Sequence, residues 1–227
     1  MKMEPLQDYS KDAGTPFQSW PVDKLLAATA SKEPVPGGGA IAAMTAASAA
    51  ALVEMVANLT IGKKGYEDVD IVMQSIRDKA QGLRQRYLQG IEEDAKAFDR
   101  VIKALRLPKD TPNRTAIVQQ AFVDAATIPF ELGKDIFDLV QLAEQTVQYG
   151  NAWVITDGAI AAMNARAAMR SAFYSVRINL NYIKDKTFVD TMMAQILEIE
   201  EKASMVEAKV ECSSSTSCRP SPLILST

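Results

Sequence analysis

Histidine is absent from this 227-residue chain. Its absence removes the commonest metal ligand and the side chain that most often serves as a general base near neutral pH. Cysteine is nearly absent as well. Cys212 and Cys218 are the only two, both close to the C-terminus, so neither a zinc spacing nor a disulfide framework can be drawn. Metal catalysis is not expected, and acid–base chemistry falls to carboxylates. An excess of one charge is also missing: 25 Lys and Arg stand against 28 Asp and Glu, for a net charge of −3. Such a balance excludes the basic footprint of a nucleic-acid binder and any strong pull toward an anionic membrane. The N-terminal residues MKMEPLQDYS contain no apolar signal core. The longest apolar run, residues 40–61, approaches membrane-spanning length, yet it is built on weakly apolar alanine and interrupted by Glu54 and Asn58. These absences predict a soluble, cytoplasmic protein with no nucleic-acid or membrane partner, long enough for one domain with a real core.

Strand-like alternation is missing too, and helical periodicity takes its place. Residues 34–64, PVPGGGAIAAMTAASAAALVEMVANLTIGKK, dominate the pattern. A glycine-rich turn leads into a helix over 39–59 whose small side chains let neighbouring helices approach closely. Before it, a short helix runs over 19–30, with Ser19 as cap and Pro21 in the first turn, where a missing N–H does no harm. After a turn at 62–65, apolar residues recur every three or four positions from Ile76 through Ala80, Leu83, Tyr87, Ile91, Ala95, Phe98 and Ile102 to Leu105, which predicts one long helix over 67–105. Pro108 and Pro112 end it. A helix over 113–148 follows, kinked at Pro129. Then come helices over 156–184 and 186–210, the last with Ile196, Leu197 and Ile199 facing inward. The expected fold is all-α, a single-domain antiparallel bundle of about six long helices. It occupies residues 19–211, between an irregular arm at 1–18 and a disordered Ser- and Pro-rich tail at 212–227.

In so apolar a chain the polar residues placed against the pattern are informative. Gly37, Gly38 and Gly39 lack a Cβ, and the helix behind them would offer free N–H groups and its positive dipole end to an anion. A glycine-rich turn used only for packing reads equally well. Asp94 lies three residues after Ile91 and four before Phe98, on the apolar stripe. It is either a structural carboxylate paired with a cation across the bundle or a functional acid. Glu54 and Asn58 share one face of the alanine helix. Asp157 opens the fifth helix, where the dipole alone favours a carboxylate. Arg177, Asn179 and Lys184 form a polar patch, and Lys63 with Lys64 form another.

PVPGGGA before an alanine helix, then VANLTIGKKGY, EEDAKAFDRVIKALRLPKD, AATIPFEL, GNAWVITDGAIAAMNARAA and VRINLNYIKD in that order, resemble the cyclodeaminase/cyclohydrolase family of folate enzymes over residues 19–205. The resemblance implies hydrolysis of 5,10-methenyltetrahydrofolate to 10-formyltetrahydrofolate, or cyclodeamination of formimidoyltetrahydrofolate with release of ammonia. The tetrahydrofolate derivative is then substrate, with no permanently bound cofactor and no metal. It implies Asp94 as the acid/base and Asp157 as a second carboxylate. Gly37, Gly38, Gly39 and Asn58 would meet the substrate, and Lys63, Lys64, Arg177 and Asn179 would serve its polar groups and glutamate carboxylates. Two positions depart from the family: Thr156-Asp157 replaces a serine-aspartate pair, and Ser175 replaces an asparagine. Similar proteins are dimers, and a homodimer is expected. A non-catalytic helical binding or scaffold protein is the reading from a different class.

Overall fold

Proline and glycine set most of the helix boundaries in the computed structural model, which describes residues 16–217. After a 3-10 turn at Phe17–Ser19, α1 (Val22–Thr29) starts behind Pro21. Helix α2 (Gly38–Asn58) starts behind Pro36 and Gly37. Helix α3 (Asp70–Arg106) stops before Pro108, and α4 (Arg114–Tyr149) begins after Asn113, whose φ of 58° lies in the left-handed region that asparagine tolerates. Gly150 closes α4. Helices α5 (Ile155–Leu180) and α6 (Lys186–Ser217) follow, and the described residues contain no strand.

Helix α2 forms the centre. Eleven of its residues are buried, nine of them alanine or glycine, so α3 and α5 pack closely along it. Helix α4 lies on α3 and α5, and α6 closes against α4 and α5. The larger core side chains come from these neighbours: Met73, Ile76 and Tyr87 of α3, Ile136 and Leu139 of α4, Met169 and Phe173 of α5, and Ile196 of α6. By length and composition α2 alone among the described helices could cross a membrane, and more than half of it is buried against the other helices.

The apolar stripe of α3 holds only in part. Ile76, Ala80, Tyr87, Ile91 and Ala95 are buried, but Phe98 and Leu105 are 37% and 42% exposed. Helices α2 and α3 run antiparallel, and Asp94 stands level with the first turn of α2. Beyond that point α3 has no α2 to rest on. Its buried face turns toward α4, so Ala97, Val101 and Ala104 replace Phe98, Ile102 and Leu105, and Val101 packs with Phe122 and Ala125. Three further expectations are corrected. Leu197 is exposed, on the outer face of α6. Helix α5 ends at Leu180, because Gln119 of α4 receives the Lys184 N–H and donates to the Tyr182 carbonyl, which holds that segment as a turn. Helix α6 continues past Val210, through Cys212 to Ser217, where a disordered tail was expected. The arm expected at 1–18 lies outside the described residues up to 15, as does the tail from 218 onward.

Candidate active site

The first N–H groups of any helix need acceptors from outside it. Gly37, the N-cap of α2, has no side chain to offer one. The acceptor comes from α3: Asp94 Oδ2 takes the Ala40 N–H at 3.1 Å. The carboxylate comes so near because Gly39 lacks a Cβ. A methyl there would stand 2.0 Å from Asp94 Oδ1 and 2.4 Å from its Cγ. The other two glycines are less constrained. A Cβ on Gly38 would meet no heavy atom within 4 Å, and one on Gly37 would sit 3.2 Å from the Pro34 carbonyl oxygen. Burial pushes the Asp94 carboxyl above the ordinary carboxylate range, and the one N–H from Ala40 offsets only part of that. Asp94 is thus a weakly acidic carboxyl at the positive end of a helix.

Asp94 and Gly39 line a cavity of about 170 Å³. Arg86, Gly90 and Glu93 of α3, residues 127–129 with Glu131, Leu132 and Asp135 of α4, and Ala172 of α5 complete its wall. Pro129 shapes the α4 side. Having no N–H, it deprives the Ala125 carbonyl of its helical donor. Asn179 of α5 replaces that donor, its Nδ2 lying 3.0 Å from the Ala125 oxygen and 2.8 Å from the Ser175 oxygen. At the other end of the cavity Arg86 Nη1 lies 3.0 Å from Asp135 Oδ2. The Tyr87 hydroxyl donates to the Asp135 carbonyl at 2.8 Å and fixes the backbone there. Burial raises the Asp135 carboxyl, and Arg86 draws it back only in part. Arg86 precedes Asp94 by two helical turns, about 12 Å along α3.

Of the residues singled out in the sequence, Gly39 and Asp94 meet at this cavity. Asn58, Lys63, Lys64 and Asp157 lie at the far end of the bundle. There the Asn151 N–H reaches Thr60 Oγ1 at 2.9 Å, and its amide donates to the Leu59 carbonyl at 3.1 Å. These bonds dock the start of α5 on the exit from α2, whose length of about 31 Å separates that end from Gly39. Asp157 therefore shares no site with Asp94 within one subunit, and neither do the two lysines. The Arg177 guanidinium donates to Glu200 of α6 at 2.7 and 3.2 Å. Asn179 holds the carbonyl freed by Pro129. Glu54 pairs with Arg84 of α3, as a carboxylate among alanines requires. Arg86, Glu131 and Asp135 were not singled out. The available signal was the Pro129 kink, whose neighbours 127, 128, 131 and 132 line the cavity with it.

Residues 21–198 match the family model described as formiminotransferase-cyclodeaminase. A methenyltetrahydrofolate cyclohydrolase from Methylorubrum extorquens is 34% identical over 193 residues, 83% of this chain and 93% of that protein. A formimidoyltransferase-cyclodeaminase from Sus scrofa is 28% identical over 194 residues, 84% of this chain but 36% of that longer protein. The crystal structure of a formiminotetrahydrofolate cyclodeaminase from Thermotoga maritima superposes with a TM-score of 0.82 at 30% identity, covering 88% of this chain and 98% of the other.

Proposed function

The chain belongs to the formiminotransferase-cyclodeaminase family, and we propose that it is a folate one-carbon enzyme that hydrolyses 5,10-methenyltetrahydrofolate to 10-formyltetrahydrofolate. The observation that carries the reading is Asp94, held over Gly39 at the first turn of α2 with its carboxyl pushed up by burial. The methenyl carbon is an amidinium cation. It is electrophilic already, and what it needs is a water deprotonated on one side and a ring nitrogen protonated on the other. The Asp94 carboxylate takes a proton from the attacking water as the C–O bond forms. It returns that proton to N5 as the C–N5 bond breaks, while the new hydroxyl loses its own proton to solvent and becomes the formyl oxygen. One proton is released overall. A carboxyl with a raised pKa suits both halves of this cycle. Glu93, Glu131 and Asp135 add negative charge around a cationic substrate.

The similarity to the Thermotoga maritima cyclodeaminase favours a second reaction at the same site. There Asp94 would assist attack by N10 on formimidoyltetrahydrofolate and protonate the departing ammonia. Two assays separate the readings: loss of the ultraviolet band of methenyltetrahydrofolate, and ammonia release from formimidoyltetrahydrofolate. Turnover of neither by purified protein overturns the enzymatic reading and leaves a helical binding protein.

The reading extends to a cytoplasmic homodimer that uses no permanently bound cofactor and engages neither membrane nor nucleic acid. The near-neutral charge balance supports the last point. The dimer is supported by the outer face of α5, where Ile160, Met163, Tyr174 and Ile178 are exposed at helical spacing.

A further inference from the structure

Resting on the folate reading above, we propose that Arg86 binds a carboxylate of the substrate's glutamyl tail, exchanging its partner Asp135 for the ligand. Among the described residues the cavity is lined by four carboxylates, Glu93, Asp94, Glu131 and Asp135, and by a single cation, Arg86. Methenyltetrahydrofolate has the matching polarity: a cationic one-carbon bridge at the reacting centre and carboxylates at the end of its tail. The spacing matches as well. With the bridge at Asp94, the p-aminobenzoyl group and the glutamate backbone carry the α-carboxylate on the order of 10 Å away. Arg86 lies about 12 Å along α3 from Asp94, within reach once a hydrogen bond is added.

Exposure fits a residue at the mouth. The Arg86 side chain is 61% exposed, and that of Asp135 19%. A guanidinium presents five N–H donors in a planar fork suited to carboxylates. The Asp135 backbone is pinned by the Tyr87 hydroxyl, so the wall keeps its shape when Arg86 swings outward. Burial raises the Asp135 carboxyl against the pull of Arg86, so desolvation opposes their pairing and makes the exchange easier. None of the three cations that the resemblance assigns to the glutamate carboxylates can take this role in the same subunit, since Lys63 and Lys64 lie at the far end and Arg177 is held by Glu200.

The test compares two substrates, methenyltetrahydrofolate and the counterpart that ends in p-aminobenzoate without glutamate. The wild-type protein should show a KM at least about tenfold lower for the glutamyl substrate, the equivalent of one charge-assisted contact. In Arg86→Gln that ratio should collapse toward one through a rise in the glutamyl KM, and Arg86→Lys should restore part of it. Equal KM values in the wild type overturn the proposal even if the variant fails to fold. A loss in Arg86→Gln that is the same for both substrates, or that falls on kcat alone, overturns it as well. Turnover of neither substrate by the wild type is a different failure: it sinks the folate reading, and the role of Arg86 falls with it.

Discussion

At the scale of single residues, Gly39→Ala would set a methyl 2.0 Å from Asp94 Oδ1, and the carboxylate would have to leave the first turn of α2. A displacement of that order should lower kcat/KM for methenyltetrahydrofolate by about 100-fold. Gly38→Ala adds a methyl that meets no heavy atom within 4 Å and should cost far less; equal losses in steady-state assays of the two variants would show that the glycines serve the helix rather than the acid. Asp94 also fixes two pH dependences. Its carboxyl holds a proton more tightly folded than unfolded, because burial raises its folded pKa. The stability it contributes is therefore fully present below the ordinary carboxylate value and is lost as pH rises through the raised one. Asp94→Asn, which cannot ionise, should melt higher than wild type near neutral pH and lose this dependence in thermal melts across the acid range. Activity runs the other way: the basic form is needed, so the wild-type rate should climb as pH rises through the same value. Asp94 was legible in the sequence because it interrupts an apolar stripe. Arg86 and Asp135 were not, because periodicity marks which face of a helix is apolar but not which surface charges border a cavity.

At the scale of elements, the kink in α4 was legible from Pro129 and its consequence was not. A proline deprives the carbonyl four residues earlier of its donor, and only the packing of α5 on α4 shows that Asn179 supplies the replacement. Asn179→Ala should destabilise the protein by about 1–3 kcal/mol, since it strands that carbonyl. Pro129→Ala restores an N–H within α4 and should recover part of the loss, so the double variant should be more stable than the sum of the singles. Urea denaturation of the four proteins reads this directly, and strict additivity would separate Asn179 from Pro129. The drift of the α3 stripe has a similar cause. Helical spacing predicts a straight seam, but the neighbour changes where α2 ends, and the buried face turns with it.

At the scale of the whole molecule, the six helices of the described residues and their all-α bundle were readable from proline, glycine and periodicity. Which ends of the bundle hold the chemistry was not. Asn58, Lys63, Lys64 and Asp157 lie at or beside helix ends, as Gly39 does, whereas Asp94 lies within α3. The length of α2 puts Asn58, Lys63 and Lys64 at the opposite pole from Gly39, and the antiparallel arrangement of α2 and α5, fixed by Asn151 against Leu59 and Thr60, sends Asp157 there as well. The exposed stripe on α5 predicts a dimer of about twice the 24.7 kDa chain mass by light scattering. Met163→Asp combined with Tyr174→Asp should shift it to monomer. A monomeric wild type would leave that apolar face without a role.

The most direct measurement is the rate at which Asp94→Asn hydrolyses methenyltetrahydrofolate, followed through loss of its ultraviolet band beside the wild type, with helical content checked by circular dichroism. The amide can still accept the Ala40 N–H, so the fold should stand, while the proton shuttle is gone and kcat should fall by at least about 100-fold. A folded variant that turns over near the wild-type rate would show Asp94 to be only the acceptor that α2 needs at its start, and would contradict the account.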